Sequence, residues 1–391
     1  MGGRNASAFA KVERIRNCLR HQEPDRIPIW ENFWTGFVRR WRQELGLPAD
    51  ADPNRYYDLD MVYCGPNLDP QVQQFETLRQ TDTEEVIRTG FGATIRKVHD
   101  FAMPEFVDFD TDTIDKASAF RFGDAWDERR FFRSGDDQIN GVGDDVIVRN
   151  TASWVDRLRA LRTHFAVFGG VLEASEFMTR AIGQANTLLW IGTEPDAIAR
   201  LAARANAFYL ELTRAQITAA SGMLDGLIIW GDVAYTGGMM FSPDYWRKHF
   251  KPGVKAIIDL AHAHSLPVIY HGCGDVARIL PDFAEIGLDG YQPLEAKAGL
   301  DVIDLRRKLG HSLAFLGNQD VRLWESGGHE ALRKHIVRKL NAGRGGGYVF
   351  GSDHSVTSAV SGETYDFVVR LVRSYGRYPL QLGASDLSDL T

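Results

Sequence analysis

The sharpest chemistry in the sequence lies at His271-Gly272-Cys273. Side chains two apart on an extended strand face the same side, so the imidazole and the thiol would converge on one point. Both groups bind zinc, at roughly 2.0–2.3 Å, and a zinc site needs at least one further ligand. Taken alone, the spacing fits a buried histidine beside a small apolar cysteine equally well. Its place at the end of an apolar run, before Gly274-Asp275, favours the ligand pair.

Carboxylates end most of the other apolar runs as well. They are Glu31 beside Asn32, Glu173 with Glu176, Asp232, Glu295 after Gln292, Asp320 after Asn318, and Asp353 before His354. Each, taken singly, is most simply a helix cap or an arginine partner. Gathered at one cavity they would supply proton transfer, with Glu31, Glu173, Asp232 and His354 as the candidates. Trp30, Phe33 and Trp34 follow the first run, and Tyr235, Phe241 and Tyr291 lie in or after two others. Core packing accounts for any one of them; together, and with Glu295, they suit the wall of an apolar substrate pocket. Gly345-Gly346-Gly347 looks like a phosphate cradle, but it precedes a strand and is expected to be a tight helix-to-strand turn.

The elements that must position these residues follow a simple rhythm. Apolar runs at 227–232, 267–275, 288–294, 313–320 and 348–354 are each followed by a helical pattern. Ser242-Pro243, Asp301 and Ser361 are helix-opening residues, and Pro252 predicts a kink. Runs at 25–33 and 164–175 add two strands, and 194–221 reads as a long helix with Leu201, Ala205, Phe208 and Leu212 on one face. Alternation of this kind means parallel strands with crossover helices. Seven strands, with an eighth sought in the irregular stretch at 80–160, predict a (β/α)8 TIM-type barrel behind an N-terminal helical extension. The 80–160 stretch, rich in Asp, Gly and Arg, reads as an insertion carrying β-hairpins over the barrel mouth. No linker or repeat divides the 391 residues, so one domain is expected. No GxGxxG follows the first strand, against a dinucleotide fold.

Composition narrows the function classes. Apolar residues make up 44% and charged residues 25%, as in ordinary globular proteins. A net charge of −7 leaves no basic face for a phosphate backbone, so nucleic acid is not an expected partner. No run approaches the roughly 18 apolar residues of a membrane span, and the first twenty residues lack the apolar centre of a signal peptide, so a cytoplasmic protein without membrane contact is expected. Cys18, Cys64 and Cys273 are odd in number and far apart, against a disulfide framework. Cys18 and Cys64 have no neighbouring base and read as structural.

Several stretches resemble the uroporphyrinogen decarboxylase superfamily: RIRNCLRHQEPDRIPI, FGGVLEASEFMTRAIG, FSPDYWRKHFKPGVKAI, HGCGDVARILPDFAEIGLDGYQPLEAKAGLDV and GGGYVFGSDHSV. The resemblance implies the same (β/α)8 barrel. Decarboxylases of the family carry an arginine-rich segment after the first strand, where this chain reads IWENFWTGFVRRW; their late histidine matches His354. The corrinoid- and thiol-linked methyltransferases carry HxCG[DN], which His271 and Cys273 match, and a late cysteine replaced here by Asp353 or His354. The resemblance therefore implies a zinc site on His271, Cys273 and Asp353, and a methyltransferase or demethylase acting on a small, aromatic methyl donor. It also implies a corrinoid acceptor carried by a partner protein; a homodimer is compatible with it. The alternatives are a metal-free decarboxylase using His354 and Asp232, and a barrel that binds a small ligand without turnover.

Overall fold

The structure, a computed structural model, describes residues 4–72, 76–99, 103–133, 139–142, 147–149, 152–326 and 328–382. At its centre, seven parallel strands form a curled sheet: β1 (Met61–Tyr63), β2 (Ala166–Leu172), β3 (Gly226–Trp230), β4 (Val268–Gly272), β5 (Gly290–Pro293), β6 (Ala314–Leu316) and β7 (Tyr348–Val349). Each strand pairs with the next in the chain, as right-handed crossover units require. Both edges of the sheet bond one segment. Asp60 N donates to Ile29 O at 3.0 Å beside β1, and Phe350 N donates to Pro28 O at 2.8 Å beyond β7.

The strand expected at 25–33 is therefore reduced to single bridges, Ile29 to Phe350 among them. Pro28 has no N–H to give, and the Ile29 N–H goes to the Asp60 carboxylate at 2.7 Å, so no regular ladder forms. The strand that the sequence hid is β1. It lies upstream of 80–160, and three residues are too short to show a period.

Alternation along the strands sorts the core. Met61, Phe168, Ile228, Ile269, Leu316 and Val349 point into the curl, where they meet Val12, Ile15, Cys18 and Leu19 of α1 (Ala6–Leu19). Val167, Ile229, Val268, Tyr270, Phe315 and Tyr348 point out to the helices. The interior is thus packed at its lower end, and open chemistry is confined to the C-terminal ends of the strands.

The helices form where local signals put them. They include α2 (Ala174–Ile182), α3 (Pro195–Ala220), α4 (Pro243–His249), α5 (Lys251–Ala263), α6 (Val302–Leu309), α7 (His329–Leu340) and α8 (Gly362–Tyr375). Ser242, Asp301 and Ser361 each accept a backbone N–H at the first turn of α4, α6 and α8. The chain breaks at Phe250, between α4 and α5, with Pro252 in the first turn of α5. Gly345, Gly346 and Gly347 take φ of +73°, +80° and +76°. Their N–H groups go to Glu23, Gly343 and Cys18, so the triplet is the expected turn and offers no phosphate cradle.

The irregular stretch contains four antiparallel strands (Glu76–Gln80, Glu84–Arg88, Ala93–Val98, Glu105–Phe109) and a hairpin pairing Ile139–Val142 with Ile147–Arg149. It rests on α2, through Phe91 against Phe177 and Thr111 Oγ1 bonded to Ala181 O. Among the described residues, no helix is long and apolar enough to cross a membrane.

Candidate functional site

Trp230, His271 and Gln292 stand level on β3, β4 and β5, on the inward side. The Trp230 and His271 rings lie 4.4 Å apart between centroids. His271 Nδ1 is bonded to Gln292 Oε1, an oxygen that only accepts, so in the neutral ring Nδ1 carries the proton and Nε2 the lone pair. That lone pair faces Cys273, with 3.7 Å between Nε2 and Sγ. For tetrahedral zinc, bonds of about 2.1 and 2.3 Å would place the two ligand atoms about 3.6 Å apart. A fixed tautomer and this spacing are what a metal site asks of a His–Cys pair.

Two glycines make the Cys273 position possible. A Cβ on Gly272 would come 2.7 Å from Tyr291 Oη and 2.8 Å from Gly231 O. Gly274 has φ +84°, and a Cβ there would come 2.5 Å from Tyr235 N. Beyond β4 the chain therefore passes between neighbouring backbones, leaving the thiol half-buried at the mouth.

Carboxylates and a second imidazole surround the thiol. Ligand atoms of Asp232, His271 and Cys273 all lie within 4.8 Å of one another, and so do those of Cys273, Glu295 and His354. Asp232 Oδ1 accepts from Cys273 N at 2.8 Å, and Glu295 Oε2 accepts from Gly274 N at 3.1 Å. Glu295 also pairs with Lys297 at 3.0 Å. The His354 ring meets the edge of Trp34 at 5.7 Å, and Trp34 Nε1 is buried without a hydrogen-bond partner.

Asp353 takes a different part from the one expected. Its Oδ2 accepts from Ala296 N at 3.0 Å and its Oδ1 from Val321 N at 3.0 Å, deep in the protein. It staples two loops and joins neither ligand group; its neighbour His354 is the one that approaches Cys273. Glu173 is also placed away from the thiol. It is buried among Trp246 of α4, which donates to Oε1 at 3.0 Å, and Tyr270, on the helix side of the sheet. Burial pushes its carboxyl up to about 7.

Glu31 lines a narrow cavity with Trp30, Asn32, Gln292 and Ser352. Burial pushes its carboxyl up to about 8, against the lowering effect of its bonds to Ser352. The hydrogen count agrees. Ser352 Oγ has one hydrogen and two oxygens within reach, Glu31 Oε2 at 2.7 Å and His354 O. If the serine donates to the carbonyl, the remaining bond needs a proton on Glu31.

The expected aromatic wall divides. Trp30 and Trp34 stand at the cavity and beside His354. Phe33 packs on Phe37 and Tyr365, Phe241 on Tyr245 and Phe250, and Tyr291 is fully buried with its hydroxyl on Gly272 O at 3.1 Å. These three serve the helix-facing core. Tyr235 is 59% exposed on a small hairpin beyond β3. Sequence reasoning passed over Tyr63 and Trp230, whose rings meet at 5.1 Å on the inner face. For Trp230 the signal existed, since it stands two residues before Asp232 on a strand.

A family profile described as Uroporphyrinogen decarboxylase (URO-D) matches residues 146–375, more than half of the chain. Among curated proteins, the GTPase Der of Syntrophobacter fumaroxidans (strain DSM 10017 / MPOB) is 30% identical over 164 residues, 40% of this chain and 33% of that protein. The chain thus spans about a third of the length of the curated relative it matches. No Gly-Lys pair occurs in the sequence, so the phosphate loop of a GTPase has no counterpart here. Among solved structures, a methyltransferase from Methanosarcina mazei aligns with a TM-score of 0.62, over 93% of this chain and 98% of that one, at 16% identity. At that identity the likeness is one of fold.

Proposed function

The chain belongs to the uroporphyrinogen decarboxylase family, and on that premise we propose that it transfers a methyl group from a small aromatic donor at a zinc-type site. His271, Cys273 and Asp232 would hold the ion, with Glu295 and His354 completing the ring of donors around the thiol. The 3.7 Å approach of His271 Nε2 to Cys273 Sγ carries this reading. A divalent ion there would supply Lewis acidity to the heteroatom that bears the methyl group.

The chain's own residues do the rest. Gln292 fixes the His271 tautomer, and Asp232 holds the Cys273 backbone in place. Trp30, Trp34 and Trp230 offer flat apolar faces to a ring, each ring pair contributing roughly 0.5–1.5 kcal/mol beyond burial. Glu31, kept protonated by burial, can deliver a proton to the atom that loses the methyl group. The methyl acceptor in this reading is a corrinoid carried by a partner protein.

Metal analysis with and without Cys273 tests the site. Wild type reconstituted with zinc should retain about one ion, and Cys273→Ala should lose most of its affinity, since few protein ligands remain. Formation of methylcobalamin from methoxybenzoates tests the reaction. Zinc retained in full by Cys273→Ala would remove the thiol from the site. The protonated Glu31 beside the cavity also favours a second reading, a metal-free decarboxylase. Carbon dioxide release without metal dependence would select it.

A further inference from the structure

Arg180 is a cation at the barrel mouth that neither the sequence reading nor the reaction above uses. It lies in the last turn of α2, one turn after Glu176. Arg180 Nε donates to Glu176 Oε1 at 2.8 Å. Glu176 Oε2 in turn accepts from the backbone N of Asp232 at 3.3 Å. The guanidinium is thus two hydrogen bonds from the Asp232–His271–Cys273 group.

Its other four N–H donors have no hydrogen-bond partner among the described residues, and its side chain is 27% exposed. Burial opposes the charge, but the pull and the hydrogen bond of Glu176 outweigh it, so the group stays a firm cation. Phe91 lies under it, with Cζ 5.8 Å from the ring centre. Its charge acts on Tyr63, whose ring meets Trp230, the neighbour of His271. Asp69 also feels the charge, and its carboxylate accepts from Gly90 N at 2.9 Å. Lys297, by contrast, is already paired with Glu295.

A planar fork of free N–H donors, held by one bond at its base and set beside aromatic faces, matches a carboxylate in shape and charge. We propose that Arg180 is the anion seat of this site, so that the substrate is an aromatic carboxylate rather than a neutral ring. The proposal rests on the barrel mouth being the substrate site, and it deepens that reading by naming the substrate class. Arg180 would then set specificity, touching the substrate at the end remote from the thiol.

Binding to metal-free protein tests this without any turnover, so a failed metal site or a failed methyl transfer leaves the result intact. The probes are 4-methoxybenzoate and its neutral amide, followed by tryptophan fluorescence of the chelator-treated full chain. Wild type should bind the acid at least about tenfold tighter than the amide. Arg180→Gln should abolish that preference while leaving amide affinity unchanged, and Arg180→Lys should keep part of it. If Arg180→Gln fails to fold, the reduced preference of Arg180→Lys decides. An equal affinity of wild type for acid and amide would overturn the proposal. So would a preference that survives in Arg180→Gln at full strength, or in Arg180→Lys where that variant decides, and so would no binding of the acid at all.

Discussion

Buried carboxylates occur at both ends of the sheet, and the two ends treat them in opposite ways. At the lower end, Asp60 is fully buried and faces two arginines: Arg14 Nη1 at 2.5 Å, and Arg26 with Nη1 at 2.7 Å and Nη2 at 2.9 Å. The Ile29 N–H adds a fourth bond. Every lone pair is matched, and the cluster ties α1, the 25–33 segment and β1 together. At the mouth, Glu31 is as deeply buried but pairs with no arginine or lysine among the described residues, and burial pushes its carboxyl up to about 8. The lower carboxylate is held by its partners, and the upper one is pushed toward its neutral form. Depth is the same; the partners decide the role.

The largest effect should come from breaking the lower cluster. Arg14 keeps Asp25 as a second partner, so Asp60→Asn leaves Arg26 as the uncompensated buried charge, which costs about 3–5 kcal/mol. Urea unfolding should show that loss, while zinc content, judged on the folded fraction, stays unchanged. A loss near zero would mean that the arginines find other acceptors and that the two ends are less different than they look.

A smaller effect should come from the upper carboxylate, and its sign follows from the raised pKa. Between the unfolded value of about 4.3 and the folded value of about 8, the folded chain holds a proton that the unfolded chain has released. Stability from Glu31 is therefore fully present below about pH 4 and is lost as pH rises through 8. The decline should be on the order of 3 kcal/mol between pH 5 and 8. Glu31→Gln, which carries a permanent donor to Ser352, should flatten that part of the slope. Unfolding curves at pH 5, 6.5 and 8 measure it, and identical slopes in the two proteins would show that Glu31 is ionised throughout.

Local signals made much of this structure legible in the sequence. Ser242, Asp301 and Ser361 announce α4, α6 and α8 because a capping oxygen acts within three residues of itself. His271 and Cys273 were legible because a strand has period two. What failed were positions where one residue of slip reverses the side. Tyr291 and Gln292 are neighbours on β5; one packs on Tyr270 outside the sheet, and the other holds His271 inside it. Asp353 and His354 are neighbours in a loop without period, and the tertiary contacts alone decide that the imidazole, not the carboxylate, approaches Cys273. Arg180 went unread because the role proposed for it depends on the hydrogen-bond partners it lacks among the described residues, and no sequence pattern records that.

Asp353→Ala sharpens the neighbouring pair. Removing the carboxylate orphans the buried N–H of Val321 and the half-buried one of Ala296, which should cost about 1–3 kcal/mol of stability. Zinc affinity should fall far less than in Cys273→Ala. A drop in zinc affinity equal to that of Cys273→Ala, with unchanged stability, would return Asp353 to the ligand set.

The smallest expected effect is the most discriminating for the aromatic wall. The Tyr291 hydroxyl donates to Gly272 O at 3.1 Å, and its ring lies 5.6 Å from Tyr270, stacked behind β4. Tyr291→Phe keeps the ring and loses one buried hydrogen bond, so stability should fall by about 1 kcal/mol. The orphaned Gly272 carbonyl precedes Cys273, so a slight weakening of zinc binding is also expected. Affinity for 4-methoxybenzoate should not change, because Tyr291 faces the helices and never meets the mouth. Trp34→Phe supplies the contrast, since Trp34 stands against His354 and its indole N–H is unpaired. That change should weaken ligand binding several-fold at nearly unchanged stability. The reverse pattern, with Tyr291→Phe weakening the ligand and Trp34→Phe leaving it alone, would move the substrate from the inside of the curl to the helix layer.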